Sequence, residues 1–382
     1  MKLHCDITLP ASKSESNRIL MIAAYGDFAP DCQNLLDSDD TLVLANALNE
    51  IQQNHAVIDI ADSGTAARFL TTCLSCRSGS WLLTGTERMK QRPIKPLVEA
   101  LRSLGASIQY AEKEDFLPLK IEGKPIQGGK VQIEMSQSSQ FASSLLLAAP
   151  MWPQGLEMEL LGDLSSLPYL NMTLAMMRHF GADVERNGRT IIVKPKSYQP
   201  ASFKVSSDWS AASYWYEIAV LSEACEIRLR GLSMTSLQGD TIIADWMSQL
   251  GVGTYLENDS IVLRKIPFER RSFCFDFSQH PDLYPTMAAT CAGLNVEAIF
   301  TGLDNLALKE SNRVEAMQTE LAKLGNSSLH FCAHNDHRVV MALAPLALLY
   351  DSVTFDHPEV VEKSYPNFWN DASFLPFSGK KG

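Results

Sequence analysis

The chain has 382 residues, a length that fits roughly two domains of about 150–200 residues each. Hydrophobic residues make up 46% of it and charged residues 20%, so it has enough apolar side chains for full cores and is not intrinsically disordered. The formal net charge of −11 excludes a broad cationic surface of the kind that binds nucleic acid or an anionic membrane. A few cations can still converge on a small anionic molecule.

The sequence carries no signal for a membrane or for secretion. Its longest apolar runs, such as residues 339–350, are shorter than the roughly 18–20 residues that a membrane-spanning helix needs. The opening residues MKLHCDITLP lack the apolar stretch of a secretory signal peptide. The eight cysteines are scattered and are interpreted as reduced thiols. We therefore expect a cytoplasmic protein that has neither a membrane nor a nucleic-acid partner.

Six segments share one pattern, a short polar cluster followed by ten or more mostly apolar residues. In chain order they begin near Ser14, Gly64, Ser139, Ser210, Asp282 and Asp336. Serine and aspartate are favourable residues at the start of a helix, and a helix that is apolar on every side is buried. The pattern predicts six buried helices with polar N-termini.

A second type of segment alternates with the first and is apolar along one stripe only. LVEALRSLGA, TLAMMRHFGADV, IIADWMSQLGVG and VEAMQTELAKLGN predict half-exposed helices, each of which ends at a glycine, namely Gly105, Gly181, Gly251 or Gly325. TLVLANALNEI fits the same type without the glycine, and the β-rich stretches SIQY, DVER and TYLE follow three of the others. The alternation predicts about six βαβ-like units in two domains of three. The alternative is an ordinary α/β protein in which the spacing is coincidental.

The predicted buried helices carry charged and polar residues where they begin. A helix N-terminus offers unpaired N–H groups and the positive end of the helix dipole, both of which suit anions. Each such residue taken alone is typical of a surface cap. Together they indicate one or two strongly anionic small substrates, with Asp282 and Glu310 available for proton transfer.

Eight short blocks resemble those of one known family. KSESNR, SGTAAR, QRPI, SSQF, SLPYLNMTLAMMRHFG, LKESNR, NDHRV and KSYPNF follow one another in the order found in 5-enolpyruvylshikimate-3-phosphate synthases (3-phosphoshikimate 1-carboxyvinyltransferases). The resemblance runs from about Leu9 to Asp371. It implies an α/β fold, a two-domain inside-out α/β barrel of six βαβαββ-type repeats with three per domain. The domains would be residues 13–206 and residues 1–12 plus 207–382, closing on the substrates.

The resemblance also implies an activity. The family transfers the carboxyvinyl group of phosphoenolpyruvate to the 5-hydroxyl of shikimate 3-phosphate and releases phosphate. This transferase step belongs to the shikimate pathway, which leads to chorismate and the aromatic amino acids. The family needs no metal and no organic cofactor, and we expect a monomer whose partners are these two small molecules.

Matching the family's blocks to this sequence assigns residues to each substrate. Shikimate 3-phosphate would contact Lys13, Ser14, Arg18, Ser138, Ser139, Gln140, Ser166, Tyr169, Asp282, Asn305 and Lys309. Phosphoenolpyruvate would contact Lys13, Gly64, Arg92, Gln140, Arg313, Arg338 and Lys363. Asp282 would take the hydroxyl proton, Glu310 would transfer a proton at the methylene carbon, and Lys13 would neutralise the bridging oxygen as phosphate leaves.

Three residues depart from the family's usual pattern. Asp62 stands where asparagine is usual, Asn312 where aspartate is usual, and Trp209 where smaller residues are common. A carboxylate at position 62 that pointed into the site would repel phosphoenolpyruvate. Two alternative functions stay open, namely a non-catalytic anion-binding homologue and an enolpyruvyl transferase that acts on another hydroxyl acceptor. The segment GTERMKQRPI lacks the reactive cysteine expected of the sister enzyme that acts on UDP-N-acetylglucosamine.

Overall fold

The computed structural model describes residues 2–376 and divides into two compact units. The N-terminal unit is Lys13–Val205, and the C-terminal unit combines Met1–Ser12 with Ser206–Gly382. Met1 and residues 377–382 lie outside the described residues. They are the two outer ends of the second predicted domain.

Helices account for much of both units. The N-terminal unit contains α1 (Lys13–Gly26), α2 (Asp39–Gln52), α3 (Gly64–Cys76), α4 (Lys95–Ser103), α5 (Ser139–Ala148) and α6 (Leu167–His179). The C-terminal unit contains α7 (Trp209–Leu221), α8 (Ile243–Gln249), α9 (Tyr284–Gly293), α10 (Arg313–Leu321), α11 (His337–Leu343) and α12 (Phe368–Asp371). In residues 2–376 no helix is both long and apolar enough to cross a membrane.

Short strands alternate with these helices. In the N-terminal unit they are β2 (Cys32–Gln33), β3 (Val57–Asp59), β4 (Gly79–Thr84), β5 (Ser107–Tyr110), β6 (Leu119–Gly123), β7 (Gly129–Glu134), β8 (Leu156–Leu161), β9 (Val184–Asn187), β10 (Thr190–Val193) and β11 (Phe203–Lys204). In the C-terminal unit they are β1 (Lys2–Thr8), β12 (Ala224–Arg230), β13 (Val252–Glu257), β14 (Ser260–Lys265), β15 (Phe273–Asp276), β16 (Ala298–Thr301), β17 (Ser328–Phe331) and β18 (Ser352–Phe355).

The described strands form three four-stranded sheets with one shared topology. Their orders are β3-β4-β6-β5, β7-β8-β10-β9 and β1-β12-β14-β13. In each of these orders the first and second strands are parallel. The second and third strands pair antiparallel, and so do the third and fourth. The pairs β2-β11, β15-β16 and β17-β18 are parallel two-stranded sheets. The fold is therefore mixed α/β, and β1 belongs to the C-terminal unit because it pairs with β12 from Lys2↔Ala224 to Thr8↔Arg230.

The predicted apolar helices correspond to α1, α3, α5, α7, α9 and α11, so their positions are confirmed. Two of them differ in detail because of proline. Regular helix α9 begins only at Tyr284, beside Pro285, and Asp282 lies in a preceding 3-10 turn. Helix α11 passes into a 3-10 turn at Ala344, one residue before Pro345. The glycines predicted to follow the half-exposed helices all have positive φ, of 91° at Gly105, 87° at Gly181, 95° at Gly251 and 113° at Gly325.

The least polar helices of each unit pack against one another. In the N-terminal unit α5 lies against α3 and α6, and α1 lies against α6. In the C-terminal unit α9 lies against α7 and α11. Every residue of α7 is buried. This packing also buries polar residues near the starts of these helices, among them the predicted site residues Arg18, Ser139 and Arg338.

Candidate active site

One buried arginine in the C-terminal unit joins three carboxylates. Arg313 opens α10 and is 1% exposed. Its Nη1 donates to Asp282 Oδ1 at 2.9 Å, its Nη2 to Glu310 Oε2 at 2.7 Å, and its Nε to Asp336 Oδ2 at 2.9 Å. The two residues predicted to transfer protons are therefore bonded to the same guanidinium.

A second arginine completes the environment of Asp282. Arg338 Nη2 donates to Asp282 Oδ2 at 2.8 Å. Burial opposes ionisation of this carboxyl, but the charges of Arg338, Lys309 and Arg313 outweigh it and hold the pKa of Asp282 well below its usual range. Asp282 is thus a carboxylate at neutral pH and is able to accept a proton.

Asp336 fixes both arginines, a role that the sequence did not predict for it. The residue is fully buried and is the N-cap of α11. Its Oδ2 accepts from Arg313 Nε and from Ser311 Oγ at 3.0 Å, and its Oδ1 accepts from the Arg338 backbone N–H at 3.0 Å. An aspartate directly before an apolar helix is predictable as a helix cap from the sequence. Its hydrogen bond to Arg313 is not predictable in this way.

Asp240 is a further carboxyl that the sequence did not single out. It is 1% exposed and accepts a hydrogen bond from Ser210 Oγ in the first turn of α7. Burial and the nearby charge of Asp282 raise the pKa of Asp240 to about 7. Its position next to Asp282 depends on tertiary packing, because Asp240 lies in a 3-10 turn with no periodic pattern.

The remaining predicted residues of this unit lie in loops and 3-10 turns. Asn305 is buried, and its side-chain oxygen has no hydrogen-bond partner within residues 2–376. A buried acceptor of this kind fits a ligand that brings a hydroxyl or N–H group. Lys309 follows the same turn as Asn305, and Lys363 ends the 3-10 turn Pro358–Lys363.

In the N-terminal unit, Arg18 links the starts of two helices. Its Nη1 donates to the Ser14 carbonyl at 2.8 Å, its Nη2 to the Tyr169 carbonyl at 3.1 Å, and its Nε to Thr173 Oγ1 at 2.7 Å. Burial lowers the pKa of Arg18 to about 10. These bonds bring the predicted residues at the start of α1 next to those at the start of α6, where Ser166 precedes the first turn with φ 56°.

The starts of α3 and α5 meet in the same unit. Gln140 Nε2 donates to Thr65 Oγ1 at 3.1 Å, while the Gln140 backbone N–H donates to Ser138 Oγ at 3.2 Å. The guanidinium of buried Arg92 lies over Gly64, where an added Cβ would be 2.7 Å from Nη1. A side chain at position 64 would therefore require the Arg92 guanidinium to shift.

Lys13, at the start of α1, forms a partly buried ion pair with Asp40. Its Nζ donates to Asp40 Oδ2 at 2.9 Å. Asp40, in the first turn of α2, is buried and was not among the predicted site residues.

The three departures from the family's pattern have local structural roles. Asp62 accepts a hydrogen bond from Thr86 Oγ1. Asn312 caps α10 by accepting from the Glu315 N–H at 3.4 Å. Trp209 is fully buried and donates from Nε1 to the Ser233 carbonyl at 3.1 Å. In the part of the chain that the structure describes, no group of three or more His, Cys, Asp or Glu residues is arranged to hold a metal ion.

A mixed α/β fold with cations and paired carboxylates at buried helix starts defines the class, an enzyme that binds small anions and transfers protons. The sequence model of the family "EPSP synthase (3-phosphoshikimate 1-carboxyvinyltransferase)" matches residues 1–56 and 47–372. The chain belongs to the EPSP synthase family, which confirms the resemblance predicted from the eight blocks.

Curated relatives agree with this membership, and a solved structure has a similar fold. The 3-phosphoshikimate 1-carboxyvinyltransferase of Bacteroides fragilis strain YCH46 is 44% identical over 402 residues, covering 100% of this chain and 97% of that one. The enzyme of the same name from Histophilus somni strain 2336 is 35% identical over 415 residues, covering 96% and 95%. The fold resembles that of EPSP synthase from Acinetobacter baumannii, with a TM-score of 0.73, 21% identity and coverage of 97% and 95%.

Proposed function

We infer that this protein transfers the carboxyvinyl group of phosphoenolpyruvate to the 5-hydroxyl of shikimate 3-phosphate and releases phosphate. The reaction belongs to the shikimate pathway, which leads to chorismate and the aromatic amino acids. The observation that carries this inference is the bonding of Asp282 and Glu310 to the single guanidinium of Arg313, in a chain that matches the family along nearly its whole length.

Shikimate 3-phosphate is held by hydroxyl, amide and cationic groups. The residues proposed to contact it are Lys13, Ser14, Arg18, Ser138, Ser139, Gln140, Ser166, Tyr169, Asp282, Asn305 and Lys309. The bonds of Arg18 to the carbonyls of Ser14 and Tyr169 support a shared location for the residues at the starts of α1 and α6. The buried Asn305 oxygen is a ready acceptor for a ring hydroxyl.

Phosphoenolpyruvate is held by a largely cationic group. The residues proposed to bind its phosphate and carboxylate are Lys13, Gly64, Arg92, Gln140, Arg313, Arg338 and Lys363. Arginine suits this task because its planar fork forms two parallel hydrogen bonds to a carboxylate or a phosphate. The close approach of Arg92 to Gly64 supports a place for the small anion beside the first turn of α3.

The proposed chemistry moves one proton to the methylene carbon and back, and carries the proton of the 5-hydroxyl to the phosphate. Glu310 protonates the methylene carbon, C2 becomes electrophilic, and the 5-hydroxyl attacks C2 while its proton passes to Asp282. The resulting tetrahedral intermediate loses phosphate as the bond between C2 and the phosphate oxygen breaks. Lys13 neutralises the departing oxygen, and the proton held by Asp282 passes to the released phosphate, which returns Asp282 to its carboxylate form. A methyl proton returns to Glu310, which restores the double bond in the product.

Substrate binding adjusts the basicity of Asp282. In the free protein both arginines bond to this carboxylate and lower its pKa, which makes it a weak base. When Arg313 and Arg338 turn toward the anionic groups of phosphoenolpyruvate, their hold on Asp282 weakens. The pKa of Asp282 then rises toward the range in which it accepts the hydroxyl proton.

We also propose the finer architecture that the family resemblance implies. Two inside-out α/β barrels of three βαβαββ repeats each, over residues 13–206 and residues 1–12 plus 207–382, are supported by the topology that the three four-stranded sheets share. We also propose a monomer in the cytoplasm, since the eight cysteines are free thiols in the structure and fit a reducing compartment.

Phosphate release tests the function directly. Purified protein is incubated with phosphoenolpyruvate alone, with shikimate 3-phosphate alone, and with both. Release that requires both substrates, together with a product whose mass equals shikimate 3-phosphate plus the carboxyvinyl group, supports the proposal. Binding of shikimate 3-phosphate without any release would favour a non-catalytic anion-binding homologue.

A further inference from the structure

The hydroxyl of Tyr365 is buried and bonded on two sides. It donates to Asp371 Oδ2 at 2.7 Å and accepts from Trp215 Nε1 at 3.2 Å. Tyr365 is 1% exposed, and Trp215 is fully buried in α7. Because Asp371 is the last residue of α12, this single oxygen ties the loop that carries Tyr365 to two helices.

Tyr365 comes directly after the turn that presents Lys363. The 3-10 turn Pro358–Lys363 ends there, and only Ser364 separates the lysine from the tyrosine. The backbone N–H of Tyr365 donates to the Val361 carbonyl at 2.9 Å, so the chain folds back on the turn. Fixing the Tyr365 ring therefore fixes the backbone on which Lys363 stands.

The start of the same turn is also fastened. Trp369 Nε1 donates to the Pro358 carbonyl at 2.8 Å, and the turn packs against α11, the helix that carries Arg338. Phe368 adds an edge-to-face ring contact with Tyr365 at 5.6 Å between centroids. The turn is thus held at both ends, next to the helix of another proposed phosphoenolpyruvate ligand.

We infer that Tyr365 is a positioning residue that holds Lys363 in place for phosphoenolpyruvate, through hydrogen bonds to Asp371 and Trp215. The inference rests on the proposed function, in which Lys363 contacts that substrate. A lysine side chain is long and flexible, so its placement depends on how firmly its backbone is held. Loss of that hold weakens binding of the anion that Lys363 contacts and leaves the other substrate unaffected.

The hydroxyl keeps its donor proton under assay conditions. Burial and the charge of Asp371 raise the pKa of Tyr365 above its usual value. Removing the oxygen leaves the Trp215 N–H and Asp371 Oδ2 without the partner they have here. The turn then loses its link to α7 and α12 while the aromatic packing stays.

The test is Tyr365→Phe, measured by steady-state phosphate release with each substrate varied in turn. We expect the KM for phosphoenolpyruvate to rise about tenfold, while the KM for shikimate 3-phosphate stays at its wild-type value. Asp371→Ala removes the acceptor and leaves the tyrosine, so it shifts the same KM in the same direction. Asp371→Asn keeps an acceptor oxygen and restores the wild-type KM.

Tyr198→Phe is the matched control. The Tyr198 hydroxyl is also buried and donates to the Leu147 carbonyl at 2.9 Å, but it lies in the N-terminal unit, on no element that carries Lys363. This variant loses the same atom and one buried hydrogen bond, and it leaves both KM values unchanged. A thermal melt of each variant records the loss of stability separately from the loss of binding.

The outcomes separate the inference from the function. Wild-type protein that releases no phosphate overturns the proposed function itself. Wild-type turnover combined with an unchanged phosphoenolpyruvate KM in Tyr365→Phe overturns the positioning role and leaves the function standing. Equal rises in both KM values also overturn it, since they indicate general loosening. If Tyr365→Phe does not fold, Asp371→Ala decides by the same criteria.

Discussion

Asp336 and Arg313 form a fully buried ion pair in which the guanidinium Nε donates to Oδ2 at 2.9 Å. The same carboxylate caps α11 and accepts from the Arg338 backbone N–H. A buried charge whose partner is removed is strongly destabilising, because the remaining charge keeps its desolvation cost. Asp336 therefore supports both the fold of the C-terminal unit and the placement of two proposed phosphoenolpyruvate ligands.

Replacing Asp336 separates these two contributions. Asp336→Ala removes the cap and the charge, and we expect the free energy of unfolding to fall by about 3 kcal/mol. Asp336→Asn keeps the cap and removes the charge, so it loses less stability but still raises the KM for phosphoenolpyruvate. Urea unfolding and steady-state kinetics measure the two effects. An Asn variant with wild-type kinetics would show that the cap alone matters.

Gly64→Ala tests the closeness of Arg92 to the first turn of α3. The new Cβ would lie 2.7 Å from Nη1 and 2.8 Å from Nη2, so the guanidinium has to move. Because Gly64 is helical and its φ is not positive, an alanine fits the backbone and stability should change little. We expect a higher KM for phosphoenolpyruvate and an unchanged affinity for shikimate 3-phosphate. An unchanged KM for phosphoenolpyruvate would show that Arg92 does not bind that substrate.

Asp240 gives the protein a pH-dependent stability. Burial raises the pKa of Asp240 to about 7 in the folded state, whereas the unfolded chain ionises near pH 4. Folding must therefore take up a proton between these two pH values, and this group's contribution to stability is lost as the pH rises from about 4 to about 7. Asp240→Asn should flatten that fall in the melting temperature, measured from pH 4.5 to pH 8. An identical slope in the variant would contradict the assignment.

We expect a substitution at Glu217 to stabilise the protein. It is fully buried in α7, and neither carboxylate oxygen has a hydrogen-bond partner within the described range. Burial raises its pKa well above the usual value, so stability is lost as the pH rises above about 4. Glu217→Gln should add about 2 kcal/mol to the free energy of unfolding at pH 7 and nothing at pH 4. The exposed Glu269→Gln is the control and should change neither value.

The sequence predicted the buried helices because each combines a polar start with an unbroken apolar run, as in α3 and α7. It also predicted the positive φ of Gly105 and Gly181, since a glycine after an apolar stripe is a common helix end. Family membership followed from eight ordered blocks and is confirmed.

Other parts of the site could not be read from the sequence. The three carboxylates on Arg313 come from different loops and turns, and their meeting depends on how α9, α10 and α11 pack. Asp240 and Asp40 have no motif of their own, so only the folded structure brings them to Ser210 and Lys13. The role of the Tyr365 hydroxyl could not be predicted from the sequence, because phenylalanine at this position would give the same apolar pattern.

The central claim is that Asp282 and Glu310 transfer protons in the reaction. Phosphate release and shikimate 3-phosphate binding, measured side by side for wild type, Asp282→Asn and Glu310→Gln, test this most directly. We predict that each variant loses about 10²–10⁴-fold in turnover while its dissociation constant for shikimate 3-phosphate stays near that of wild type. Near-normal turnover in either variant would contradict the role given to that residue.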